Sequence, residues 1–188
     1  MMNETTVTQK KFSTYGLVMM AMFAAILCIS SYISVPLPSG YHVTLLNFVI
    51  LLTALIFPLE QSILIIVVWM LLGIAGVPVF VSGNAGIGYL LSPLGGYTVS
   101  FLLVAILLPL LRGKNYNRIR YLIVSLFSVV LIDLFGMAWL KILNGMSWKT
   151  AWVTGFFSFI LLDIIKAVIA AQIAPAFRHI IHTQQTEA

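Results

Sequence analysis

The chain has 188 residues and a formal net charge of +5, with 61% apolar and only 8% charged residues. A soluble domain normally carries about a quarter charged residues, so this composition excludes an ordinary soluble enzyme or a separate soluble domain. The mean hydropathy of +1.09 indicates an integral membrane protein. Because Cys28 is the single cysteine, an intramolecular disulfide and a cysteine-based metal site are also excluded.

Apolar blocks alternate along the chain with short breaks rich in proline, glycine or basic residues. The six blocks cover about 16–35, 43–57, 60–77, 94–111, 119–143 and 153–177. The first is longer than a signal-peptide core and no small-residue cleavage pattern follows it, which favours a retained span. The second and third are short for a hydrocarbon core of about 30 Å. We predict an all-α polytopic membrane protein in which residues 1–188 form one domain with six transmembrane helices.

The distribution of basic residues predicts the orientation of this domain. With six spans both termini lie on one side, and seven of the ten Lys and Arg residues fall there, against two on the other side. We therefore expect cytoplasmic N- and C-termini in a bacterial cell membrane. The excess of basic residues on the cytoplasmic side explains the positive net charge, so no nucleic-acid partner is expected. The seven are Lys10, Lys11, Arg112, Lys114, Arg118, Arg120 and Arg178, and the two are Lys141 and Lys149.

A glycine-rich loop, residues 78–96, separates the third block from the fourth. It holds five glycines and no charged residue, although a solvated loop of that length would be more polar. Irregular backbone near a membrane is tolerated where protein or water satisfies its polar groups. We expect a non-helical loop that folds over the outer side of the bundle and closes a ligand pocket as a lid. The Asn84 amide in this loop could both donate hydrogen bonds to a ligand and accept them from it. The alternative is a packed loop without ligand contact.

Asp163 and Lys166 lie three residues apart in the last apolar block, close to one helical turn, so they project from the same side of a helix. Each charge costs about 2.5–3.5 kcal/mol at the centre of a membrane helix, and such residues usually face protein or a water-filled cavity. The pair predicts a binding site for a small polar group. One alternative is an ion pair that only makes the helix insertable. Another is a proton- or ion-coupled carrier that also uses Asp133. For Asp133 itself, a structural role is slightly favoured over a place in the pocket wall.

Several motifs together resemble the BioY family, the biotin-binding S components of energy-coupling factor (ECF) transporters. The most specific is VPVFVSGNAGIGYLLSPLGGY, residues 77–97. The Pro36-Leu37-Pro38 break, the following Val43-Thr44-Leu45 and the Asp163-x-x-Lys166 pair also fit the family pattern. The resemblance covers nearly the whole chain. Asn47 stands where the family usually has glutamine, and Leu94 where threonine is common before the two glycines.

This resemblance implies a high-affinity biotin-binding subunit that takes biotin from the outer side and hands it to the cytoplasm. It implies as partners a transmembrane coupling (T) subunit and two ATPase subunits. The chain has no Walker motif, so ATP would act only through those partners, and we expect neither a cofactor nor an enzymatic activity. Another vitamin is the alternative ligand, although thiamin or riboflavin would require a more aromatic, acidic or hydroxyl-rich pocket.

Biotin offers two ureido N–H donors, one carbonyl acceptor, a thioether ring and a carboxylate tail. Asp163 could accept from a ureido N–H, and Lys166 could donate to the ureido carbonyl or to the tail. We expect the head group to be buried and the tail to point to the outer mouth. The predicted ligand-binding residues are Asp163, Lys166, Asn84, Gly83, Gly86, Tyr89, Phe80, Asn47 and Tyr41.

Two alanines four residues apart, Ala21 and Ala25, lie in the first block. Small residues at this spacing flatten a helix face and allow another helix to approach closely. The family resemblance implies that this face docks to the T subunit. No metal site is expected, because His42, His179 and His182 fall at different ends of the chain.

Overall fold

The computed structural model describes residues 13–36 and 41–187, with side chains as far as Arg178. Lys10, Lys11, the 37–40 part of the proline break and the side chains of His179 and His182 lie outside this description. The described chain is mostly helical. Its helices are α1 (Thr14–Ser30), α2 (Leu46–Ile56), α3 (Leu59–Ile74), α4 (Ile87–Leu90), α5 (Gly95–Arg112), α6 (Arg118–Asn144), α7 (Trp148–Ala151) and α8 (Ser158–Glu187).

Polar caps and glycines mark the ends of these helices. The Ser13 hydroxyl accepts from the Gly16 N–H at the start of α1, and the Asn117 side chain accepts from the Arg120 N–H at the start of α6. Gly145 follows α6 in the left-handed conformation, at φ 60°, which glycine adopts without strain. A π-helical turn, Trp152–Phe157, joins α7 to α8.

A short antiparallel hairpin departs from the all-α prediction. Strand β1 (Ser34–Pro36) pairs with β2 (His42–Thr44), and Val35 lies opposite Val43. As a consequence α1 ends at Ser30 rather than near residue 35, and α2 begins at Leu46 rather than near residue 43. The apolar, β-branched residues of this region therefore form strands, although their composition alone is typical of a membrane helix.

Three helical segments within the described residues are long and apolar enough to cross a membrane: Gly95–Arg112, Arg118–Asn144 and Trp148–Arg178. Helices α1, α2 and α3 are also apolar but shorter, and the 11 residues of α2 extend only about 16 Å at 1.5 Å per residue. The count of six spans therefore stays a prediction. Large apolar side chains such as Phe157, Leu161 and Ile142 point outward from the long helices, as expected of lipid-facing surfaces.

The bundle is built around α5, which packs against α2, α3 and α6, while α8 packs against α2 and α6. Trp69, Phe57 and Phe101 are fully buried between these helices. Helices α2 and α5 both begin at the end of the bundle that carries the hairpin. Their first turns therefore surround one space together with parts of α6 and α8.

Hydrogen bonds fix the glycine-rich loop onto the bundle. The Trp69 indole N–H donates to the Val79 carbonyl at 3.1 Å, and the Gly86 N–H donates to the Gly73 carbonyl at 2.7 Å. The loop is not wholly non-helical as predicted, because it contains a 3₁₀ turn at Val81–Gly83 and helix α4. Its Phe80 ring lies against Gly73, where an added Cβ would come within 2.2 Å of the ring.

Candidate functional site

A cavity of about 440 Å³, including its open mouth, lies at the hairpin end of the bundle. Strand β2, the glycine-rich loop and helices α2, α5, α6 and α8 all contribute to its walls. The lining residues are His42, Val43, Thr44, Asn47, Val81, Tyr89, Leu94, Tyr97, Phe101, Asp133, Phe159 and Asp163.

Asp163 is the centre of a hydrogen-bonded cluster at this cavity. Its Oδ1 accepts from Lys166 Nζ at 2.7 Å, and its Oδ2 accepts from Asn47 Nδ2 at 2.7 Å. Lys166 Nζ also donates to the Thr44 carbonyl at 2.7 Å. Asp163 is only 1% exposed and the Lys166 side chain 16% exposed, so this is a largely desolvated ion pair. Every carboxylate oxygen of Asp163 therefore has a partner.

Asp133 is a second carboxyl group at the cavity, and its surroundings differ. It lies on α6 and is 0% exposed. Among the described residues neither Oδ1 nor Oδ2 has a hydrogen-bond partner. The cavity thus combines one carboxylate that is fully paired with another that is not paired at all.

Aromatic rings form the apolar part of the wall. The Tyr97 hydroxyl donates to the Gly155 carbonyl in the π-helical turn at 2.5 Å, and its ring meets the Phe159 ring edge-on with centroids 5.4 Å apart. Gly136 leaves room for this ring, because an added Cβ there would come within 2.2 Å of it. π-Helical turns often occur at functional sites, and this one orients a cavity-lining tyrosine.

Some predicted ligand-binding residues come together at the cavity. Asp163, Asn47 and Tyr89 line it, and Lys166 is bonded to Asp163. The Tyr41 ring lies 6.1 Å from that of Phe159, next to the lining residues. Burial raises the pKa of Tyr89 to about 12, so its hydroxyl stays protonated at neutral pH.

Four other predicted residues of the glycine-rich loop do not line the cavity. Asn84 is exposed, and its Nδ2 donates to the Val81 carbonyl at 2.7 Å. Phe80 is buried in the core and stacks on Tyr89 with ring centroids 5.1 Å apart. The remaining two, Gly83 and Gly86, adopt positive φ angles of 75° and 82°, which allow the backbone of the loop to turn at these positions.

The sequence missed most of the apolar wall. Leu94 falls within the most specific family motif and could have been proposed on that ground. Phe101 and Phe159 carry no such signal, because lipid-facing and cavity-facing apolar residues are of the same types in a membrane helix. In the described part of the chain, no three His, Cys, Asp or Glu side chains cluster as a metal site.

The alanine pair of α1 faces away from the cavity. Ala21 and Ala25 are both exposed, on an outward face that they share with Leu17, Met22 and Ile29. No described element packs on this face.

The model of the BioY family matches residues 3–183 of this sequence. The chain belongs to the BioY family. It is 31% identical to "Biotin transporter BioY2" of Lactococcus lactis subsp. cremoris, over 82% of this chain and 85% of that protein. It is 35% identical to "Probable biotin transporter BioY" of Pyrococcus horikoshii, over 83% and 91% of the two chains. Membership of this transporter family, together with the several apolar helices, identifies a multi-pass membrane protein.

A solved structure shares the fold. The S component for biotin from an ECF-type ABC transporter superposes with a TM-score of 0.80 at 25% identity, covering 87% of this chain and 90% of that one. The relatives named above are transporters rather than enzymes. The resemblance inferred from the sequence motifs is thereby confirmed.

Proposed function

We propose that this chain is a high-affinity biotin-binding membrane subunit, the S component of an ATP-driven vitamin uptake transporter. The observation that carries the proposal is the cavity of this BioY family member, in which Asn47, Asp163 and Lys166 form a polar cluster beside aromatic walls.

The polar and apolar groups of the cavity correspond to the parts of biotin. An ammonium group has three donors, and Lys166 uses two of them on Asp163 and the Thr44 carbonyl, so the third can donate to the ligand. The rings of Tyr97, Phe101 and Phe159 offer apolar contact to the thioether ring and aliphatic chain. An analogue without the ureido groups would leave buried polar atoms unpaired, which lowers its affinity.

We further propose that biotin enters from the outer side and that the glycine-rich loop closes the mouth after it. Val81, Tyr89 and Leu94 of this loop already line the cavity. In this arrangement six helices span the cell membrane with both termini in the cytoplasm. Asn84, Gly83, Gly86 and Phe80 would then act through the shape of the loop.

Binding of biotin to the detergent-purified protein tests this proposal directly. We expect saturable one-to-one binding, and Asp163→Asn and Lys166→Ala should each weaken it about tenfold or more, because each change leaves a desolvated partner unpaired. Lys149→Ala removes an exposed lysine that does not line the cavity and should leave binding unchanged. Unaltered affinity in both cavity variants would reduce the pair to a structural role. If folded wild-type protein bound no biotin, the ligand proposal would be wrong.

We propose that the outward face of α1 around Ala21 and Ala25 docks to the T subunit, which acts with two ATPase subunits. The face is flat, apolar and not covered by any described element. Ala21→Trp should sharply reduce co-purification with the partner subunits while biotin binding to the isolated chain persists. Phe127→Trp, an outward change on α6, is the matched control. Equal co-purification of both variants would argue against this docking face.

A proton- or ion-coupled carrier is the second candidate, because Asp133 and Asp163 share one cavity with Lys166 beside it. Uptake into vesicles that contain this chain alone distinguishes the two. Dependence on an imposed proton gradient supports the carrier, whereas a requirement for ATPase subunits and ATP supports the S component.

A further inference from the structure

Asp133 is a buried acidic group that has no hydrogen-bond partner among the described residues. Both of its carboxyl oxygens lie at the cavity wall without a hydrogen bond, whereas both oxygens of Asp163 are bonded at 2.7 Å. The two carboxyl groups come from different helices, α6 and α8. A ligand in the cavity would therefore meet one carboxyl group on α8 whose two oxygens each have a partner, and one on α6 whose oxygens have none.

An unpaired buried carboxyl group is unfavourable in any fold. Buried polar side chains nearly always have a partner, and leaving a polar group unsatisfied costs about 1–3 kcal/mol, more for a charged group. An apolar residue of similar size would pack at this position without that cost, as Val129 and Ile132 do on the same helix. The free oxygens at the cavity surface thus indicate a partner that enters the cavity and that the described residues do not provide.

We propose that Asp133 is a ligand-contacting residue that accepts a hydrogen bond from a ureido N–H of biotin and selects for that group. This inference rests on the proposed function. Asp163, the acceptor that the sequence suggested, already accepts one hydrogen bond on each oxygen, from Lys166 and Asn47, whereas Asp133 adds an acceptor that has no partner among the described residues. Lys166 and the Asn47 amide remain for the ureido carbonyl and the second N–H. The head group then bridges α6 to α2 and α8.

Two measurements distinguish this role from a structural one. The first is biotin affinity in a cycle that combines Asp133→Leu with biotin methylated on one or the other ureido nitrogen. Methylation at the contacted nitrogen should weaken wild-type binding about tenfold or more, and Asp133→Leu, which has no acceptor, should weaken biotin binding by a similar factor. Since both changes remove the same hydrogen bond, together they should weaken binding little more than either alone.

The second measurement is the thermal stability of the unliganded protein. Because Asp133 has no hydrogen-bond partner among the described residues, Asp133→Asn should not lower the unfolding midpoint and Asp133→Leu should raise it, while biotin binding falls in Asp133→Leu. Ser128→Ala is the control on the same helix, since the buried Ser128 hydroxyl donates only to the Val124 carbonyl. It should leave both biotin affinity and discrimination between the methylated analogues unchanged.

Three results would overturn the inference while leaving the proposed function in place. They are biotin affinity within about twofold of wild type in Asp133→Leu, methylation losses that add fully to the loss from that variant, or unliganded Asp133→Asn and Asp133→Leu proteins that unfold at a lower temperature than wild type. By contrast, wild-type protein that is folded but does not bind biotin overturns the proposed function itself, and with it the biotin contact of Asp133.

Discussion

Two clusters of buried polar side chains lie at opposite ends of the bundle, and they differ in how completely they are paired. At one end are Asp163, Lys166, Asn47 and Asp133. At the other is Arg112, the last residue of α5, which is 4% exposed. Arg112 lies fifteen positions after Tyr97 of the cavity wall, which is about 22 Å along a helix.

Arg112 closes the C-terminal end of α2. Its guanidinium donates to the Leu55 and Phe57 carbonyls, the latter at 2.6 Å, and to the Tyr121 hydroxyl at 3.3 Å. The last carbonyls of a helix lack intrahelical partners, and a cation there also meets the negative end of the helix dipole. Of the three guanidinium nitrogens, Nε is the one that has no acceptor among the described residues. Backbone of the chain itself thus satisfies most of this charge.

The two ends differ in the number of unpaired atoms rather than in the presence of a charge, and we expect this difference to distinguish a structural cluster from a ligand-binding one. Arg112 is directed at carbonyls that would otherwise have no partner. The carboxyl group of Asp133 is directed at a cavity and has no partner in the described chain. Asp163 and Lys166 are intermediate, because they pair with each other while Asp163 also lines the cavity.

The largest expected effect is on stability, at the Arg112 end. Arg112→Met keeps an apolar stem but leaves the carbonyls at the end of α2 unsatisfied, each at a cost of about 1–3 kcal/mol. We expect the unfolding midpoint in detergent to fall markedly, with biotin affinity of the folded fraction unchanged. Unfolding followed by intrinsic fluorescence, with biotin titration of the same sample, measures both.

Arg120→Met is the control for this change. Arg120 is exposed and its Nε donates to a single carbonyl, that of Leu111, at 2.7 Å. Its loss should lower the midpoint far less. Equal effects of the two substitutions would show that burial and multiple pairing do not distinguish Arg112, and the contrast between the two ends of the bundle would be lost.

The sequence predicts the long helices better than the cavity, for a physical reason. α6 runs from Arg118 to Asn144, where an apolar block was expected at about 119–143, because Asn117 and Gly145 are recognisable cap residues. The hairpin was missed since its residues are as apolar as those of a span. Cavity-lining Phe101 and Phe159 could not be separated from lipid-facing residues, because a membrane helix can be apolar on every side.

Polar and charged residues within apolar blocks carried most of the information about the site. Asp163, Lys166 and Asn47 are such residues, and the structure joins them by hydrogen bonds. The sequence could not show that both oxygens of Asp163 have partners while those of Asp133 have none among the described residues, because pairing depends on contacts between distant helices. Asn84 was favoured for its amide, and one N–H of that amide donates locally to the Val81 carbonyl.

A smaller effect is expected where the cavity wall is changed without altering any charge. Gly136 on α6 lies against the Tyr97 ring, and an added Cβ would come within 2.2 Å of it. Gly136→Ala must therefore displace the ring or separate α5 from α6, which costs about 1–3 kcal/mol by overpacking. Biotin affinity should fall several-fold, because the ring lines the cavity and is held by the Gly155 carbonyl.

Gly88→Ala provides the matched control, because an added Cβ at Gly88 meets no atom within 4 Å. In the short helix α4 alanine should be neutral or slightly stabilising, and biotin affinity should not change. A loss confined to Gly136→Ala would show that the aromatic wall, and not only the polar cluster, determines binding. Equal affinity in both variants would restrict the binding determinants to the polar cluster, since displacing the Tyr97 ring would then have no consequence for the ligand.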